Sequence, residues 1–150
     1  MRPVTVSIDV PQSRENVYAY LDVLAAHEAF TDHMLVDWHC SGPTAGVGAR
    51  ARMRVKRPGR PDWLEMQVVA ADPPNGTVED SVSAGGRRRT RGTYILEDLA
   101  GGGTRVSFRF EWLQMPLSER IAAPLTRAIV RRGNRRSLAR MATLLDRHAR

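Results

Sequence analysis

The chain has 150 residues, a formal charge of +7 and one cysteine, Cys40. That length fits one domain, residues 1–150, which buries about two thirds of its unfolded surface. A lone cysteine excludes an intrachain disulfide and a cysteine zinc finger. Met1-Arg2-Pro3 runs straight into alternating residues without an apolar leader, and no segment has the length needed to span a bilayer, so a cytoplasmic protein is expected. Arginine carries almost all of the positive charge, Lys56 being the only lysine, and it clusters at 50–57, 87–91 and 127–140. Strand and helix periods point these groups to solvent. An anionic membrane or nucleic-acid surface therefore ranks third among the functional readings, and no specific nucleic acid is expected.

Val4, Val6, Ile8 and Val10 alternate with polar residues as a first strand, which Pro11 ends. Ser13 is placed to cap a helix carrying Val17, Tyr20, Leu21 and Leu24, and a second short helix is expected over 25–31, anchored by Phe30. Residues 34–40 read as extended, and glycines between 42 and 48 turn the chain. Ala49, Ala51, Met53 and Val55 then alternate with Arg50, Arg52, Arg54 and Lys56, the pattern of an antiparallel strand with one wet face. Leu64, Met66, Val68 and Ala70 continue the inward face in the next strand. A strand over 77–83 is read with Val78, Asp80 and Val82 inward, and one over 88–98 with Gly92, Tyr94 and Leu96 inward. The last strand carries Val106, Phe108, Phe110 and Trp112 on one face, with Gln114 two residues beyond.

Leu117, Ile121 and Leu125 have helical spacing but lie roughly 160° from the later apolar stripe at 100° per residue. A short helix at 117–123 is therefore expected, followed by a long one with Pro124 in its first turn, where a missing N–H costs nothing. The long helix, 124–149, places Ile129, Val130, Gly133, Ser137, Met141, Leu144, Leu145 and His148 along one side and Arg131, Arg132, Arg135, Arg136 and Arg147 on the other. With one apolar stripe to cover, it must lie against the sheet, and an apolar hollow between the two follows.

The order of elements, with Ile8-Asp9-Val10-Pro11, Val17-Tyr18, Leu21, the Asp72-Pro73 turn, Gly103-Thr104-Arg105-Val106 and a closing helix bearing Leu138, Met141 and Leu145, resembles the START-like (SRPBCC, helix-grip) superfamily, in its polyketide cyclase/dehydrase and lipid-transport branch. The resemblance covers essentially the whole chain. It implies an α+β helix-grip fold: a curved seven-stranded antiparallel sheet wrapped around the C-terminal helix, two short helices between strands 1 and 2, and an elongated cavity. Members span carriers, cyclases and chaperone activators, so the fold leaves function open.

Candidate chemistry is sparse. His27, His33 and His39, with Asp32 and Asp37, lack the spacing of a helical metal site, so no metal is assigned. No nucleophile elbow is present, Cys40 reads as a small buried hydrophobe, and Gly101-Gly102-Gly103 joins two strands with no helix N-terminus to hold phosphate. Binding of a small hydrophobic ligand without a cofactor ranks first, against walls drawn from Met53, Val55, Leu64, Met66, Tyr94, Phe108, Phe110, Trp112, Gly133, Ser137 and Met141. The small residues Gly133 and Ser137 are read as bordering that cavity. Cyclisation or dehydration of a polyketide-like substrate ranks second, with Tyr94 and Asp80 as acid–base candidates. Oligomeric state is open, a homodimer included.

Overall fold

The computed structural model describes residues 1–149. Its strands are β1 Val4–Val10, β2 Leu35–Ser41, β3 Arg50–Val55, β4 Asp62–Asp72, β5 Gly76–Ser83, β6 Arg88–Asp98 and β7 Thr104–Gln114. They form one sheet in the order β1-β7-β6-β5-β4-β3-β2, with every neighbouring pair antiparallel. Short turns give this meander, and β1 closes its far edge by pairing with β7, Val6 opposite Phe108.

Helix α1, Arg14–Leu21, begins where Ser13 Oγ accepts the Asn16 N–H at 3.2 Å. The second short helix is a 3₁₀ turn, Leu24–His27, running into α2, Glu28–Thr31. At the other end lie α3, Leu117–Ile121, and α4, Ala123–His148. Ala122 breaks the helix at φ −92°, ψ 31°, and a proline follows in the first turn of α4. With 26 residues α4 is about 39 Å long.

Two apolar clusters stand on the helix-facing side of the sheet. The larger joins Val4, Val6, Val17, Leu21, Phe30, Leu96 and Val106 to Leu138, Met141 and Leu145 of α4. The smaller gathers Ala49, Ala51, Met53, Met66 and Val68 under Leu24. Each fully buried aliphatic side chain here contributes about 1.5–3 kcal/mol.

Three expectations are corrected. In β5 the buried face carries Thr77, Glu79, Ser81 and Ser83, while Val78, Asp80 and Val82 point outward. The cause is pairing: β4 sets Glu79 opposite the buried Val68, and β6 sets it opposite the buried Gly92. On α4 the buried stripe is Asn134, Ser137, Leu138, Met141 and Leu145. Ile129, roughly 130° from that stripe at 100° per residue, is 62% exposed. His148 is exposed at the helix end, edge-on to the Tyr20 ring with centroids 5.7 Å apart. Cys40 is exposed rather than buried, because it lies on edge strand β2.

Candidate ligand site between sheet and helix

Side chains alternate across each strand, so register alone assembles the inward face. One row runs Val4, Phe110, Gly92, Glu79, Val68 across β1, β7, β6, β5 and β4. The next toward the open end runs Trp112, Thr90, Ser81, Met66, Ala51. Between the two apolar clusters the middle strands thus present Glu79, Ser81, Ser83 and Thr90, all buried and all polar. Aromatic rings continue the floor: His27 lies 5.6 Å from Tyr94, Tyr94 4.6 Å from Phe108, Phe108 6.5 Å from Phe110, and Phe110 4.9 Å from Trp112. Gly92 makes this packing feasible, since a Cβ there would fall 2.6 Å from Phe108 Cζ and 3.2 Å from Glu79 Oε1.

Glu79 is the chemically unusual member. Its carboxyl group makes no hydrogen bond to another described side chain, and the titratable group facing it is His27, whose Nδ1 lies 3.8 Å away. The His27 Nε2–H donates to the Leu21 carbonyl at 2.7 Å, since that oxygen can only accept. The Nδ1 lone pair is therefore the atom turned to Glu79. The separation is that of an ion pair, but burial opposes it on both sides. Burial pushes the Glu79 carboxyl up to about 8 and the His27 imidazole down to about 4. At neutral pH the pair is a carboxylic acid facing a neutral imidazole, a donor beside an acceptor. Burial, and then the Glu79 charge, hold the Tyr94 hydroxyl well above its ordinary pKa.

Of the sequence-predicted wall, Met53, Met66, Tyr94, Phe108, Ser137 and Met141 are buried, whereas Val55, Leu64, Phe110 and Trp112 are half-buried. The former make a closed floor. The latter mark the rim at the end of the sheet where β4 begins and β5 ends. There Arg88 ties the elements together: its guanidinium donates to Asp62 Oδ2 at 2.9 Å, to Ser83 Oγ at 2.8 Å and to both carboxylate oxygens of Glu119 on α3. Arg57 also reaches Asp62 Oδ2, at 3.0 Å.

Asp80 lies on the opposite face of the sheet, where Arg91 grips its carboxylate at 2.7 and 2.9 Å, so it does not meet Tyr94. The glycine patch on α4 is already occupied: a Cβ on Gly133 would lie 2.3 Å from Met34 Sδ. His33 Nε2–H donates to the Gly133 carbonyl at 3.0 Å and Arg140 donates to His33 Nδ1 at 3.2 Å, which pins the chain after α2 to α4. Asn134, one residue on, buries its Nδ2 with no hydrogen-bond partner. A hollow of about 250 Å³ lined by residues including Ala70, Val78, Thr93 and Ile95 opens on the outward side of the sheet. Among the described residues no three His, Cys, Asp or Glu side chains converge to hold a metal. Sequence reasoning missed Glu79 and Asn134, and weighed His27 only as a metal ligand. The signal for Glu79 was its place opposite Gly92, visible only with the register.

The family model for "Polyketide cyclase / dehydrase and lipid transport" matches residues 1–146. The chain belongs to that family. No curated protein matches it significantly in sequence. Among solved structures, TTHA0849 from Thermus thermophilus superposes with a TM-score of 0.78 at 16% identity, covering 99% of this chain and 100% of the other. CV1439 from Chromobacterium violaceum gives 0.69 at 17% identity, with 97% and 98% covered. DynU16, described as a putative protein in the dynemicin biosynthetic locus, gives 0.67 at 18% identity over 96% of this chain and 47% of the other. Identities this low establish a shared fold. Family membership supports ligand binding in general terms. No helix of the described residues is long and apolar enough to cross a membrane.

Proposed function

We propose that this protein binds a small, mostly apolar ligand that enters past Val55, Leu64, Phe110 and Trp112 and places one polar group against Glu79 and His27. The observation that carries this reading is the Glu79 carboxyl, buried beside His27 with the polar Ser81, Ser83 and Thr90 between two apolar clusters and joined by no hydrogen bond to any described side chain. A buried polar group without a partner costs about 1–3 kcal/mol, a cost that a ligand hydroxyl or carbonyl would offset. Because Glu79 donates and His27 Nδ1 accepts, a hydroxyl satisfies both at once, accepting from one and donating to the other. The buried Asn134 Nδ2 offers a further unused donor on the helix side.

Native mass spectrometry of protein purified from its own host, followed by solvent extraction, tests the reading. A stoichiometric adduct bearing a hydroxyl or carbonyl on an apolar body is expected. Bare protein that also fails to take up a fluorescent apolar probe would refute it.

A second reading, acid–base catalysis on a polyketide-like chain, runs through Glu79 and His27 with Tyr94 beside them, rather than through Asp80. What favours it is the pairing of a neutral acid with a neutral base 3.8 Å apart in a water-poor site. Incubation with a poly-β-carbonyl substrate separates the readings: a catalyst produces a cyclised or dehydrated product that Glu79→Gln abolishes, whereas a carrier returns the substrate unchanged.

A further inference from the structure

We propose that the ridge formed by Leu117, Ile121, Leu125 and Ile129, with the arginines that follow it on α4, is a docking surface for an anionic lipid bilayer. These four side chains are 62–76% exposed. They recur every fourth residue, Leu117 with Ile121 on α3 and Leu125 with Ile129 on the first turns of α4. The start of α4 is tied to α3 across the break at Ala122, the Thr126 N–H bonding the Ala122 carbonyl at 2.9 Å and Thr126 Oγ1 donating to the Glu119 carbonyl at 3.2 Å. Glu119 is held by Arg88, so the ridge is fixed outward rather than collapsed onto the body. The phase difference visible in the sequence accounts for Leu117, Ile121 and Leu125 facing solvent, and Ile129 joins them on the exposed side. Contiguous exposed aliphatic surface of this kind marks an interaction site.

Charge identifies the partner. From residue 120 to residue 145 the chain contains no carboxylate. Arg132 and Arg136 continue the exposed face of α4, within roughly 20° of Leu125 at 100° per residue, and the exposed Arg135 lies to one side of it. No salt bridge among the described residues engages these three. On the sheet, by contrast, Arg54, Arg91, Arg105 and Arg109 are matched with Asp37, Asp80, Asp9 and Glu111. A second copy of the chain would set like charge against like charge. A nucleic-acid backbone would neutralise the arginines but leave the aliphatic ridge in water. The interface of an anionic bilayer supplies phosphate and hydrocarbon side by side, with room for a helix lying in its plane. The ridge also stands at the end of the sheet occupied by Trp112, since Arg88, which holds Glu119, lies two residues from the Trp112 partner Thr90. Docking is independent of what the interior holds.

The test is co-sedimentation of the full chain with phosphatidylcholine vesicles, with and without phosphatidylglycerol. Binding is expected only with the anionic lipid and should weaken with salt. Ile121→Ser combined with Leu125→Ser should weaken it at least about tenfold. Arg132→Gln and Arg136→Gln should each weaken it about fivefold. All four positions are solvent-facing, so circular-dichroism melting should confirm that each variant is folded. Three results would overturn the proposal: no binding to anionic vesicles, binding that neither pair of substitutions alters, or tighter binding to a duplex oligonucleotide than to vesicles. A monomer–dimer equilibrium that Ile121→Ser/Leu125→Ser abolishes in sedimentation velocity would assign the ridge to a second copy instead.

Discussion

Replacing Glu79 by glutamine should remove a pH dependence of stability that the buried Glu79–His27 pair imposes. Glu79 titrates near 4.5 when unfolded and near 8 when folded, so on its own it makes the native state lose stability as pH rises from 4.5 to 8. His27 goes from 6.5 unfolded to about 4 folded, so on its own it makes the native state gain stability as pH rises from 4 to 6.5. Between 4.5 and 6.5 folding exchanges one proton between the two sites, the native and unfolded chains hold equal numbers, and the contributions cancel. Above 6.5 only Glu79 still titrates, and the native state holds the extra proton. Each pH unit then costs about 1.4 kcal/mol, so about 2 kcal/mol is lost from pH 6.5 to pH 9, most of it by pH 8. Urea unfolding of parent and Glu79→Gln at pH 6.5 and 9 measures this. The parent should lose about 2 kcal/mol more than the variant over that interval, and the variant should gain relative to the parent at the alkaline end. Equal losses in the two proteins would mean that the carboxyl is hydrated or paired in solution. The polar anchor argued for the ligand would then fail with it.

Other outcomes follow from the same packing. Gly92→Ala pushes a methyl group into Phe108 and should destabilise the fold by about 1–3 kcal/mol in urea unfolding. Gly133→Ala, which in an open helix would gain about 1 kcal/mol, should instead be destabilising because of Met34; Met34→Ala in the same chain should restore the gain, with a coupling of at least about 0.5 kcal/mol in a double-mutant cycle. Arg88→Met leaves the Asp62 carboxylate buried with only Arg57 and the Ala84 N–H, and should cost about 3 kcal/mol in chemical unfolding.

Much of the fold was legible because neighbouring residues carry the relevant signal. Ala51, Met53 and Val55 against Arg50, Arg52 and Arg54 can satisfy only a strand with one wet face, and β3 runs Arg50–Val55. The helical spacing that ends in Met141 and Leu145 requires a sheet to lie on, and both are buried. Ser13 caps α1 and the Gly101–Gly103 hairpin separates β6 from β7, as their residue types require. These are properties of a few consecutive side chains, and sequence determines them.

The site lay outside that reach. In β5 the local pattern places valines at 78 and 82, and alternation alone turns them inward. Which face of a central strand meets the helices is decided by its register with β4 and β6, and there the buried positions went to Thr77, Glu79, Ser81 and Ser83. Likewise the helical period reads Ile129 onto the buried stripe of the long helix, yet it stands exposed with Leu117, Ile121 and Leu125, α3 being held at the sheet's end by the Arg88–Glu119 contact. Composition and periodicity determined the strands, the long helix and the family they indicate. Tertiary pairing alone decided that a carboxylic acid would lie unpartnered beside an imidazole at the centre of the sheet, because the free energy of burying either group depends on neighbours brought from distant strands.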